Sequence, residues 1–76
     1  MSTRNVIFSN PDDVINFLKI VEKYPYDMDM KRGRYIVDAK SLLGLMNLGL
    51  NHKIELKVYD ETCDDLWKEL EQYVAA

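Results

Sequence analysis

The clearest alternation in the chain is Ile54-Glu55-Leu56-Lys57-Val58-Tyr59, apolar and polar in turn, which is the period of a strand with one wet face. Asp27-Met28-Asp29-Met30-Lys31 alternates in the same way, and Arg34-Tyr35-Ile36-Val37 is β-rich. Lys31-Arg32-Gly33 lies between them, so the two runs form a hairpin that turns at the glycine. Val6-Ile7-Phe8 predicts a further short strand near the start. The other apolar positions have helical spacing. Val14, Phe17, Leu18 and Val21 recur at i, i+3, i+4 and i+7, which predicts an amphipathic helix from Pro11 to about Tyr24, ended by Pro25. Leu66, Leu70, Tyr73 and Val74 mark the apolar face of a last helix beginning at Thr62, with Asp65 in a capping-box-like place. With a short helix after Ser41, the order is β-α-β-β-α-β-α. The expected fold is α+β: a two-layer open-faced sandwich, its four-stranded antiparallel sheet covered on one face by three helices.

Local chemistry agrees with these boundaries. Asn10 (or Ser9) suits an N-cap, Pro11 suits the first helical position, and Asp12 and Asp13 meet the positive end of the helix dipole. Ser41 is a natural cap for the short helix, and Gly49 suits its stop. Within that helix Leu42, Leu45 and Leu48 recur every three residues, roughly one face. Leu43 and Met46 point elsewhere, about 40–100° around from Leu42. A helix this short with apolar residues over more than one stripe is expected to bury one face and offer the other to a partner.

Composition narrows the function classes. The chain has 76 residues, enough for one domain spanning 1–76. Its core is worth roughly 3–5 kcal/mol net. The single Cys63 has no partner for an internal disulfide, and no Cys–His metal spacing occurs, which fits a reducing, cytoplasmic setting without a bound metal. No apolar run is long enough to span a membrane, and no secretory leader is indicated. Acidic and basic residues, 13 and 10, are mixed along the chain for a net charge of -3, unlike the concentrated basic face of a nucleic-acid binder. The cluster Lys31-Arg32-Gly33-Arg34 is expected to be a solvated turn.

The segment Val37-Asp38-Ala39-Lys40-Ser41-Leu42-Leu43-Gly44-Leu45-Met46-Asn47-Leu48-Gly49-Leu50 resembles the centre of HPr, the histidine-containing phosphocarrier family of the bacterial sugar phosphotransferase system. The Lys-Ser pair, the Leu-Gly-apolar-Met run and the Leu-Gly ending carry the likeness. It extends without gaps from about Phe17 to Val58 and includes Gly33. The resemblance implies a protein that is not itself an enzyme and needs no cofactor. It docks protein partners, phosphotransferase-system or regulatory, on the short second helix, with no nucleic acid or membrane bound directly.

The departures bear on mechanism. The family's phosphoryl-accepting histidine falls on Asn10, and the arginine of the same motif falls on Asp12. An amide does not accept a phosphoryl group as an imidazole does, and an aspartate repels the phosphate an arginine would pair. The resemblance therefore implies a non-catalytic interaction or regulatory module, with a working phosphocarrier, or a carbon-catabolite regulator phosphorylated on Ser41, as the alternative. The only histidine, His52, lies in a polar loop before a strand and away from any helix start. Ser41 matches the serine that a kinase phosphorylates in some members to govern a regulator of carbon use; it is equally a plain N-cap. A family paralogue, the catabolite-repression HPr, likewise lacks the histidine and keeps the serine. Leu43 and Met46 match the family's exposed docking residues, and with Leu42 and Asn47 they make the expected partner surface. Asp12 and Asp13 near this patch would disfavour a partner that reads the arginine. Asp27 with Asp29, and Glu61 with Asp64 and Asp65, are expected to be wet-face and first-turn carboxylates rather than metal or acid–base pairs. Cys63, beside acidic neighbours, is not expected to be activated.

Overall fold

A computed structural model describes residues 1–75. The elements are β1 (Ser2–Val6), α1 (Pro11–Val21), β2 (Met28–Arg32), β3 (Tyr35–Asp38), α2 (Leu42–Leu48), β4 (Ile54–Val58), α3 (Asp64–Leu70), a 3-10 turn (Glu71–Tyr73) and β5 (Val74–Ala75). The strands form one antiparallel sheet in the order β3-β2-β4-β1-β5.

Strand alternation sets which face is covered. Met28 and Met30 of β2, with Ile54, Leu56 and Val58 of β4, are buried on the side that meets the helices. Val14, Phe17 and Val21 of α1, Leu45 and Leu48 of α2, and Leu66, Trp67 and Leu70 of α3 close the layer from above. These side chains belong to a single buried cluster. Phe8, Phe17 and Tyr73 meet edge to face within it, with centroids 5.0 to 6.1 Å apart.

The expected α+β sandwich is present, with three helices, but several expectations need correction. The sheet has five strands rather than four, because the chain does not continue α3 through Tyr73 and Val74. The helix stops at Leu70, Tyr73 is buried in the 3-10 turn, and Val74 and Ala75 pair with Val6 and Asn5 of β1. The first strand runs over Ser2–Val6 instead of Val6–Phe8. Its polar sequence is held by pairing with β4, from Ser2 opposite Val58 to Val6 opposite Ile54. Trp67 secures the same strand: its indole N–H donates to Ser2 Oγ at 3.0 Å, and Arg4 lies over its ring at 5.0 Å. Ile7 N–H then donates to the Tyr73 carbonyl, and Phe8 turns into the core.

At the other helix, Cys63 rather than Thr62 precedes the first turn. Thr62 is drawn away, its backbone N–H and its hydroxyl both donating to Asp60 Oδ1. These two bonds, the backbone one first, hold the Asp60 carboxyl below its ordinary pKa. The first long helix ends at Val21, and residues 22–24 form a turn.

Candidate functional site

Two helix starts and one helix face carry the residues of interest. At the start of α1, Asn10 is extended and acts as N-cap: its Oδ1 accepts from Asp13 N–H at 2.9 Å. Asp13 reaches back, its carboxylate accepting from Ser9 N–H at 2.9 Å. This reciprocal box engages two backbone donors, and Asp12 adds a second negative charge to the same turn. The amide of Asn10 is thereby a structural cap. An anion approaching here meets carboxylates where a helix N-terminus would otherwise attract it.

At the start of α2, Ser41 Oγ accepts from Gly44 N–H at 3.2 Å, and the first turn holds no acidic residue. Lys40 precedes the serine, its ammonium donating to the Tyr24 carbonyl at 2.7 Å. The helix lies close on β3. A Cβ added at Gly44 would come within 2.8 Å of Val37 Cβ, so only glycine permits this approach without a shift. The far end is held by Arg32, whose guanidinium donates to the Leu48 carbonyl at 2.5 Å, a charged cap for the negative end of the helix. Arg32 is thus half-buried and engaged, not part of a wholly solvated turn.

With Leu45 and Leu48 buried beneath, Leu43 is 79% exposed, Met46 48% and Leu42 44%, and Asn47 is exposed beside them. The grouping of Leu42 with Leu45 and Leu48 does not hold. At 100° per residue Leu42 stands only about 40° from Met46, and it falls on the open side. Ile15 of α1, a helix packed against α2, is also exposed. So is Tyr35 of β3. Neither was singled out by the sequence pattern, because only the packing of α2 on both elements gives them significance.

His52 is exposed, and its loop is tied to the segment before α1: Asn51 N–H donates to the Phe8 carbonyl at 2.7 Å, with Asn51 at a positive φ of 60°. Chain folding therefore brings the His52 loop beside the α1 entrance, a proximity that sequence separation hides.

Several of the other polar groups are paired with one another. A recess of about 430 Å³ is lined by Tyr26, Asp27, Met28, Asp29, Asp38, Lys40 and Tyr59. Asp29 accepts from the Tyr59 hydroxyl at 2.8 Å, and Asp38 accepts from Lys40 N–H at 2.8 Å. The first of these bonds pushes the Tyr59 pKa up. Between the turn after α1 and α3, Lys23 and Glu69 form an ion pair at 2.6 Å, and the Tyr24 hydroxyl also donates to Glu69. That hydrogen bond pushes the Tyr24 pKa up to about 12, while Lys23 first and Tyr24 second hold Glu69 down. Among the described residues, no group of three or more His, Cys, Asp or Glu is placed to hold a metal, and no helix is long and apolar enough to cross a membrane.

Comparison with known proteins bears on family and fold. A family model described as the PTS HPr component phosphorylation site matches residues 14–76, a span beginning after Asn10 and Asp12. No curated protein matches the chain. Among solved structures, HPr-C-His from Thermoanaerobacter tengcongensis superposes with a TM-score of 0.77 at 19% identity, covering 95% of this chain and 89% of that one. The phosphocarrier protein HPr from Bacillus anthracis str. Ames gives 0.71 at 20%, covering 97% and 96%. A Mycoplasma histidine-containing phosphocarrier protein gives 0.72 at 12%, covering 93% and 89%. At these identities the superpositions speak for the fold.

Proposed function

The chain belongs to the HPr family of the phosphotransferase system, and from that premise we propose that it is a non-catalytic docking module working on a protein partner. One observation carries the reading. The place of the phosphoryl-accepting histidine is taken by Asn10, whose amide is committed to Asp13 N–H, whereas Leu42, Leu43 and Met46 remain exposed. The chemistry has been replaced by a helix cap. A polar-rimmed apolar helix face of this kind serves contact. The partner is a phosphotransferase-system or regulatory protein that does not need an arginine at the position of Asp12, because Asp12 and Asp13 present it with negative charge instead.

The direct test is capture of partners from the cytosol of the protein's own source, with quantitative mass spectrometry. A partner retained by the wild type and lost in Met46→Asp and Leu43→Asp supports the reading. Undiminished retention by both variants rejects it.

A second reading, a regulator switched by phosphorylation of Ser41, is favoured by the electrostatics of α2. Its first turn has no carboxylate, so a phosphate on Ser41 would meet the positive end of the helix without a competing charge. It predicts a phosphoryl gain with ATP that vanishes in Ser41→Ala.

A further inference from the structure

The sheet has two edges, β5 with two residues and β3 with four. Tyr35 and Ile36 of β3 are 73% and 62% exposed, the largest uncovered apolar side chains outside α2 and Met1. Edge strands of this kind template pairing with another chain unless charge, proline or a bulge prevents it. No proline interrupts β3, and its charges stand only at the two ends, Arg34 before it and Asp38 at its close.

The backbone is set to pair. Gly33, at φ +59°, takes the first central position of the two-residue hairpin loop, where a type II′ turn places glycine. In such a hairpin the flanking residues, Arg32 and Tyr35, exchange their hydrogen bonds. Alternation then turns the N–H and C=O of Val37 toward β2 and those of Ile36 away from the sheet. The Ala39 N–H, which donates to the Met28 carbonyl at 3.1 Å, follows the same parity. The outward groups of Ile36 lie in the middle of the open edge.

The sequence of that edge complements itself. Arg34-Tyr35-Ile36-Val37-Asp38, paired antiparallel with a second copy about Ile36, sets Arg34 opposite Asp38, Tyr35 opposite Val37 and Ile36 opposite Ile36. The end charges, which would repel in a parallel match, attract in this one, and the two Ile36 residues exchange N–H···O=C bonds across the axis. We infer that β3 is the interface of a two-fold homodimer, formed by antiparallel pairing of β3 with β3 of a second copy. Each α2 rests on its own β3 through Gly44 and Val37, so both helices come to the same side of the joined sheet. A partner with two sites, or a dimeric one, would then be held with avidity. The pairing does not depend on the docking reading, because it uses the strand edge and not Leu43 or Met46.

Sedimentation equilibrium of the full chain over a rising concentration series tests it. The wild type is expected to show monomer–dimer association. Ile36→Lys, which sets two like charges opposite each other, weakens it at least roughly tenfold. Arg34→Asp alone and Asp38→Arg alone each lose it, while an equimolar mixture of the two recovers it, because every end charge then faces its opposite. If Asp38→Arg does not fold by circular dichroism, the contrast between Arg34→Asp (loss) and Arg34→Lys (retention) replaces the mixing experiment. A wild type that stays monomeric throughout, folded variants that associate as the wild type does, or a mixture that fails to recover association overturns the inference.

Discussion

The starts of α1 and α2 are both capped by a short polar side chain, yet they are electrostatic opposites. Asn10 at α1 is joined by Asp12 and Asp13, and Asp13 closes a reciprocal box with Ser9 N–H. Ser41 at α2 caps alone, with no acidic residue in the turn. A helix N-terminus is attractive to anions in proportion to its free N–H groups and unopposed partial charge. By that measure the start of α1 is less attractive to an anion than the start of α2. The lesson is that two helix starts in one fold can differ in electrostatic character through the residues of a single turn. The fold positions both turns, and the one at α1 is an ordinary capped helix start.

The contact between α2 and β3 offers the largest way to break this contrast. Gly44→Ala puts a Cβ against Val37 and should cost about 1–3 kcal/mol in urea unfolding, with α2 pushed off β3 and partner capture reduced. Asn10→Ala comes next, at about 1 kcal/mol by the same measurement, since it frees Asp13 N–H. Ser41→Ala should cost less than Asn10→Ala, because no second residue reciprocates its bond; equal losses would undo the distinction between the two caps. Leu43→Glu sharpens the comparison further. It gives α2 the first-turn carboxylate it lacks, so the fold should gain about 0.3–1 kcal/mol at low salt while partner capture is lost.

The smallest expected effect concerns pH. Tyr24, at about 12 in the folded chain against 10.0 as a free group, favours its protonated form in the native state. Its contribution is complete below pH 10 and disappears as pH rises toward about 12, with Tyr26 and Tyr59 shifted in the same direction. Ultraviolet titration of tyrosinate should show the highest transition moving down in Glu69→Gln.

Features legible in the sequence were those fixed by neighbours along the chain. Asn10-Pro11 and Ser41 announce their helices because capping acts within one turn, and β4 declares its buried face by alternation. Features decided across space were not legible. Ser2–Val6 carries little strand pattern and is held by β4 and Trp67. Tyr73 and Val74 continue a helical apolar face in sequence, but burial of Tyr73 turns the chain back so that Val74 and Ala75 pair with β1. Leu42 misled because residues spaced by three drift around a helix by about 60° at each step, which carries Leu42 away from Leu48. The Arg32 bond to the Leu48 carbonyl joins a hairpin to a helix end, and nothing local to either signals it.

Counting along the segment, the resemblance sets Asn10 at the place of the family's histidine and Asp12 at that of its arginine, and the proposed function rests on that correspondence. What the structure adds is how both residues are used. Asn10 is bonded to Asp13 N–H, and Asp12 stands in the first turn beside the Asp13 carboxylate, which accepts from Ser9 N–H.

Intact-mass spectrometry tests the central claim most directly. The purified protein is incubated in cytosol of its own source with phosphoenolpyruvate, with a known phosphocarrier as the positive control. No phosphoryl gain is expected in the wild type while the control is labelled. A gain that disappears in His52→Ala would contradict it. The histidine of the loop bonded to Phe8 would then be carrying the phosphate, and the protein would be a working phosphocarrier.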